Sequence, residues 1–517
     1  MTRISETSKA APPATLQAGT ATSILEQTAA GAGWTVGWRM ATRLLGLLNT
    51  LILTRLLLPS DFGLVALGSS FVVALDAVSA LGIEDALVRE KAPDRELYDT
   101  GFTLNLIRSA LTGTILAASA LPTASLFREP RLADVLLALA LGTVAGGLTN
   151  IGIVDFRRSF SFDREFRLLI MPRLAGVLIT VIAALLMRSY LALIAGILAS
   201  RSLAVMLSYV MHPYRPRLSL RAWRHLAGFS VWTWALGTAA LIRDRGDGFL
   251  IGWSFDATQV GIYSIGTEIA DLPTTELVAP LGRACFSGFA AARHAGEDSG
   301  QTYLRVVAVV TLLTFPVAVG ISLLADPMVR LTFGPKWLEA ILIIQVTALF
   351  CSTTVFGQIS NALFGAHALL RPMFMITVAG MALRVMLLIV LLPALGILGA
   401  VFAAGVPMLC EYAVYVALTL RRFHLRLSDL WKRIWRPLVA TVVMAAWLYL
   451  LGFGWTATSG DAASLACKII IAAGLGAGIY LLTIGTLWFA AGRPAGAETD
   501  ALLFAGKLLK RDRRSGR

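Results

Sequence analysis

Arg39 and Arg43 lie four residues apart inside an otherwise apolar run, WRMATRLLGLLNTLILTRLLL. On a helix that spacing puts both guanidiniums on one face, one turn from each other. An arginine near the centre of a membrane helix is disfavoured by about 2.5–3.5 kcal/mol, so some interaction must offset its retention. A planar fork of N–H donors matches paired phosphate oxygens better than an ammonium does. The chemistry this pair could perform is therefore recognition of a diphosphate in a watery cavity. Snorkelling to headgroups is the competing account, and it suits Arg39, nearer the start of the run, better than Arg43. Arg55 stands at the other end, beside PSDFG, and reads as a headgroup anchor.

A second charged group lies in IRDRGDGF, with Arg243, Asp244, Arg245 and Asp247. Arg243 and Asp247 are spaced to neutralise each other one turn apart, which leaves Arg245 facing elsewhere as a cavity candidate. Downstream, VGIYSIGTEIADLPTTELVAPL carries Glu268, Asp271 and Glu276 with no basic residue of its own. Carboxylates in such a setting bind a coupling proton or Na⁺, or pair with the arginines. Asp76 joins this ion-coupling set, together with Asp247. Arg173, Arg201, Arg384 and Glu411 are isolated charges expected to form interhelical pairs. The four cysteines, Cys285, Cys351, Cys410 and Cys467, show no CxxC spacing, and the five histidines, His212, His225, His294, His367 and His424, fall in or beside loops. Neither a metal site nor a cofactor is expected.

The elements that must position these charges follow from composition. The chain has 517 residues, 57% hydrophobic and 15% charged. Apolar runs of about 20 residues, the length that crosses a hydrocarbon core, recur throughout, and the fold class is an all-α integral membrane protein. About fourteen spans begin near residues 34, 61, 100, 132, 168, 190, 227, 259, 303, 339, 372, 395, 437 and 465. Residues 1–33 read as a disordered cytoplasmic tail and 491–517 as a basic one. The net charge of +14 is sorted by loop. Basic clusters such as Arg157, Arg158, Arg164 and Arg167 follow even-numbered spans, whereas odd-numbered spans are followed only by Arg128, Arg131, Arg188, Arg330 and Lys336. The bias places both termini in the cytoplasm and makes a nucleic-acid partner a poor expectation.

Three landmarks repeat in order. PSDFGLVALGSS matches DATQVGIYSIGT, pairing Gly63 with Gly261; LFREPRLADVLLAL matches LTFGPKWLEAILII, pairing Leu132 with Leu338; PRLSLRAWRHL matches LRLSDLWKRIW, pairing Arg217 with Arg426. The offsets stay near 200 residues. Collinear matches of this kind indicate two parallel six-helix lobes, 34–225 and 226–436, with two further helices over 437–490. Such repeats leave a cavity between the lobes near the membrane midplane. On the first offset Asp76 falls two positions from the point equivalent to Glu276. Prolines 273, 280, 316, 372, 393 and 407 are expected to kink or end helices.

RLLLPSDFG with LVREKAPDRELYDTGF resembles the amino-terminal signature of the Wzx-type polysaccharide and O-antigen flippases, in the polysaccharide branch of the MOP superfamily. RDRGDGFLIGWSFDATQVGIYSIG and LTFGPKWLEA resemble that family's span 7–8 segment and its fG-x-kW loop, and the likeness runs over roughly residues 34–490. One departure is Ala257, which stands where the partner turn has Pro59. The resemblance implies a MATE-like fold with a central cationic cavity. It also implies transfer of an undecaprenyl-diphosphate-linked oligosaccharide to the outer leaflet of a bacterial inner membrane. The implied partners are that lipid-linked oligosaccharide, membrane lipids and other polysaccharide assembly proteins.

Two other classes compete. A polytopic polymerase or glycosyltransferase needs acid/base groups in a wet site, usually on a large outer loop, and the outer loops here are short. A cation-coupled drug antiporter suits the acidic span 8, but the arginines would repel cationic drugs. No GxxxxGK run is present to bind ATP. A secondary transporter, not an enzyme, is the reading of choice.

Overall fold

The computed structural model describes residues 41–79, 83–89, 93–159, 161–223, 248–296, 298–493 and 498–499. Helices account for the regular structure of these residues, and no strand occurs among them. In chain order they are α1 (41–56), α2 (Pro59–Val78), α3 (Ile83–Arg89), α4 (Arg95–Leu126), α5 (Arg131–Gly147), α6 (Val154–Arg158), α7 (Phe162–Met187) and α8 (Leu191–Met211). There follow α9 (248–254), α10 (Ala257–Ala270), α11 (Ala279–His294), α12 (Ser299–Thr332), α13 (Ala340–Cys351) and α14 (Thr354–Ala366). The last four are α15 (Leu370–Leu395), α16 (Ile397–Arg422), α17 (Leu427–Leu450) and α18 (Ala462–Ala490). Eight of the described helices are long and apolar enough to cross a membrane, or ten spans if two bent pairs are each taken as one. The chain is a multi-pass membrane protein. The spans expected to begin near 34 and 227 start outside the described residues.

Local chemistry explains several boundaries. Asp256 is the N-cap of α10 and accepts the Gln259 amide at 3.0 Å, whereas at α2 the third helical residue, Asp61, reaches back to accept the Leu58 amide at 3.0 Å. Asp298 accepts the amides of Gly300 and Gln301 and starts α12. That helix is followed by Gly334 at φ 91°, a conformation that glycine adopts without steric cost. Pro316, Pro393 and Pro407 lie inside continuous helices and do not end them. Pro273 does mark a change, because the π-turn Thr274–Val278 begins at the next residue.

Contacts divide the chain into two compact units. Unit 1 holds 1–53, 79–119 and 136–230; unit 2 holds 54–78, 120–135 and 231–517. Within unit 1, α7 and α8 pack closely through small residues, since a Cβ on Gly196 would meet Thr180 and the carbonyl of Gly176. Within unit 2, α12 is the central helix, burying Tyr303, Leu304, Val307 and Val310 against Phe289, Val355 and Leu363. The repeat is visible there in atomic detail. A Cβ on Gly63 would run into the Ala257 carbonyl, and one on Gly261 would run into the Pro59 carbonyl. The two glycines that the sequence repeat pairs thus lie face to face, each against the first residue of the other's helix, and those two residues, Pro59 and Ala257, are themselves matched by the repeat. Such reciprocity is what a pseudo-two-fold axis between matched segments generates.

The two bent pairs are also repeat partners. α5 continues into residues Ile151–Arg158 through a 67° bend, and α13 into α14 through one of 43°. Interrupted helices in corresponding positions of two repeats point to a transport site.

Candidate functional site

Of the expected site residues, Arg39, Arg243, Arg245 and Asp247 lie outside the described residues. Arg43 is on α1 in unit 1, half-buried, with its Nε shielded from solvent. Asp76 on α2 and Glu268 on α10 are half-buried, and Glu276 is exposed within the π-turn. Asp271 caps the end of α10, and its Oδ1 accepts from the Cys351 thiol at 3.5 Å. None of these five is without an interaction partner. Among the described residues no group of three or more His, Cys, Asp or Glu is arranged to hold a metal ion.

The π-turn and the bend between α13 and α14 meet. Thr274 Oγ1 and Thr354 Oγ1 are 3.1 Å apart, each three residues further along the chain than the Asp271 to Cys351 contact. Widened turns loosen the backbone and recur at functional sites. Asp271, Thr274, Cys351 and Thr354 therefore gather a carboxylate, two hydroxyls and a thiol where two helices of unit 2 are irregular. The acidic residue was legible in the sequence; its hydroxyl and thiol company was not.

Arg55 departs from its expected role. Its Nε donates to the Thr332 carbonyl at 2.7 Å, and one Nη donates to the carbonyls of Leu331 and, at 3.5 Å, Arg330. These are the last carbonyls of α12, unsatisfied within the helix and at the negative end of its dipole. A headgroup-anchoring side chain would have pointed away from them. Beside this contact Trp337 is fully buried, donates Nε1 to the Thr54 carbonyl at 3.0 Å, and meets Phe62 edge-on at 5.3 Å. Residues 54–63 are thus clamped to residues 257–261 and 330–337 within unit 2. Arg330 is itself held by Asp326 at 2.9 Å, whose Oδ2 also accepts the Thr458 amide at 2.7 Å.

In unit 1 a polar network missed by sequence reading binds the segment 212–222 to the start of α4. Asp99 accepts from the Tyr214 hydroxyl and, at 2.8 Å, from the Arg217 amide; Thr103 Oγ1 accepts the Ser219 amide at 2.9 Å. Asp155 accepts from the Tyr98 hydroxyl and from Arg158 at 3.1 Å, and stands 3.4 Å from His212 Nε2. Burial pushes the His212 imidazole below its ordinary pKa, the charges of Arg164 and Arg215 push the same way, and Asp155 opposes them. Burial and the Asp99 carboxylate both raise the Tyr214 phenol. No periodic signal marks such a network, because its members come from three separate segments. Arg201 meets the expectation of an interhelical contact, donating to Thr143 Oγ1 at 3.2 Å. Glu411 packs on Gly380 of α15.

An all-helical chain of many membrane spans, with a clamp linking repeat-related turns and charged side chains within its spans, has the makings of a transporter. Residues 52–342 match the family described as polysaccharide biosynthesis protein, and the chain belongs to that family. Among its relatives, the succinoglycan biosynthesis transport protein ExoT of Rhizobium meliloti is 26% identical over 61% of this chain and 65% of its own length, just under two thirds. The lipopolysaccharide biosynthesis protein WzxC of Escherichia coli is 22% identical over 66% of this chain and 69% of its own. Among solved structures, the lipid II flippase MurJ in an inward closed conformation superposes with a TM-score of 0.70 at 15% identity, covering 89% of this chain and 99% of that one. An inward-facing MATE-family multidrug transporter of the MOP superfamily gives 0.58 at 18% identity, over 76% and 96%. At these identities the likeness is one of fold.

Proposed function

We propose that this chain is a secondary-type flippase that moves undecaprenyl-diphosphate-linked oligosaccharide units across a bacterial inner membrane by alternating access, for O-antigen or exopolysaccharide biosynthesis. The observation that carries the reading is Arg43, a guanidinium with a shielded Nε in an apolar span, in a chain that belongs to a polysaccharide biosynthesis family and shares its fold with a lipid II flippase. Two six-helix lobes, 34–225 and 226–436, enclose the path, with helices over 437–490 appended and both tails, 1–33 and 491–517, in the cytoplasm. Arg39, Arg43, Arg243 and Arg245 receive the diphosphate, while Asp76, Asp247, Glu268, Asp271 and Glu276 serve ion coupling. Membrane lipids and other polysaccharide assembly proteins are the remaining partners.

The test is complementation of a strain deleted for this chain. Arg43→Ala and Arg245→Ala should abolish surface polysaccharide while the protein stays in the membrane, and normal polymer from both variants would remove the assignment. In proteoliposomes, flipping should respond to an imposed Na⁺ or proton gradient, and indifference to both would remove the coupling role.

A further inference from the structure

Arg173 was expected to form an interhelical pair, yet among the described residues no hydrogen bond or ion pair reaches it. It lies eleven residues into α7, about 16 Å from the start of that apolar helix. Each residue turns a helix by about 100°. On α7 the exposed apolar side chains Met171, Leu174, Leu178, Ile182 and Leu185 form one stripe. Arg173 falls about 140° from the middle of that stripe, on the face where Ile170, Thr180 and Ala184 are buried. It is nonetheless exposed. Exposure on the packed face of a membrane helix means a solvent-filled hollow, because acyl chains meet the opposite face.

The neighbouring helix supports this placement. On α1 the exposed residues Leu44, Leu48 and Ile52 mark the lipid side, and Thr42, Arg43, Gly46 and Asn49 occupy the other. One Nη of Arg173 lies 3.6 Å from where a Cβ on Gly46 would stand, one turn along α1 from Arg43. A Cβ at Gly46 would meet that guanidinium at ordinary van der Waals distance, which places Arg173 against α1. Asn49, a further turn on, has its Oδ1 buried without a hydrogen-bond partner among the described residues. The Arg173 guanidinium therefore reaches the face of α1 that carries Arg43, within unit 1.

We propose that Arg173 is a second phosphate-reading guanidinium of this hollow, acting with Arg43 on the diphosphate of a polyprenyl-linked substrate. The inference rests on the diphosphate-lipid reading above and adds a residue to it. Two forks approaching from different helices suit a diphosphate, whose two phosphoryl groups each offer paired oxygens, better than a monophosphate.

Two measurements on the full chain test it. In proteoliposomes, Arg173→Cys should react with an anionic, membrane-impermeant thiosulfonate at least about 10-fold faster than Leu174→Cys, as water access on one face only requires, with each rate corrected for the native cysteines. Equal or absent labelling at 173 would overturn the hollow. In nanodiscs, Arg173→Ala should weaken binding of undecaprenyl diphosphate by about 10-fold, the loss of a charge-assisted pair, with Arg173→Lys intermediate. Undecaprenyl monophosphate and phosphatidylglycerol should be affected less. Unchanged diphosphate binding by a well-folded Arg173→Ala would refute the inference and leave the flippase reading standing. An equal loss for phosphatidylglycerol would reassign Arg173 to ordinary headgroups, which also refutes it. A wild-type protein that ignores undecaprenyl diphosphate would instead overturn the substrate reading itself.

Discussion

His212 couples its charge state to the stability of unit 1. Its imidazole is held neutral to lower pH than in an unfolded chain, whose histidines titrate near about 6.5. The unfolded state therefore gains a proton first as pH falls, and the stability present above that value is lost through the window below it. The thermal midpoint of the purified protein should drop between about pH 7 and pH 5, and His212→Gln should flatten that slope; an unchanged slope would remove His212 from the account. In unit 2, Arg436 and Glu498 are both buried, at 3% and 8% exposure, and pair at 3.3 Å. Removing one member of a buried pair strands the other charge, at a cost of about 3–5 kcal/mol. Glu498→Ala should lower the midpoint clearly, and Arg436→Met in the same chain should restore much of the loss. An additive double variant would show that the pair is not coupled.

At the scale of elements, the crossing of α2 and α10 depends on having no side chain at Gly63 and Gly261. The atoms in the way are backbone carbonyls, which cannot swing aside as a side chain can. Gly63→Leu or Gly261→Leu should force the helices apart and cost at least about 1–3 kcal/mol, as overpacking does. Gly46→Ala, where the nearest atom is the end of a flexible arginine at 3.6 Å, should be far milder. Differential scanning of the three variants checks the ordering, and equal midpoints would show that the crossing tolerates a side chain. The bends after Gly147 and Cys351 belong to the same scale, since each interrupts a span at a position the repeat makes equivalent.

For the whole molecule, alternating access predicts that the clamp around Arg55 and Trp337 opens once per cycle. Arg55→Cys with Thr332→Cys, joined by a short bifunctional thiosulfonate, should stop flipping in proteoliposomes, and reductant should restore it. Transport that continues after complete cross-linking would show that this clamp is static. The charge-preserving Arg55→Lys keeps a donor but loses the fork that bridges two or three carbonyls. It should slow transport less than Arg55→Ala does.

Membership of an all-α membrane class was determined by the sequence alone, because hydrocarbon admits only segments that satisfy their own backbone, and such segments must be long and apolar. The repeat was legible for a related reason: matched turns such as those at Gly63 and Gly261 keep their residue types where backbones touch. Chemistry assembled across segments was decided by tertiary structure. Spacing along a helix told which charges share a face but not what stands opposite, so Arg55 was misassigned to headgroups, Arg173 was expected to be paired, and the Asp99 and Asp155 networks went unseen. A side chain's partner is set by the helix packed against it, and only the folded chain contains that information.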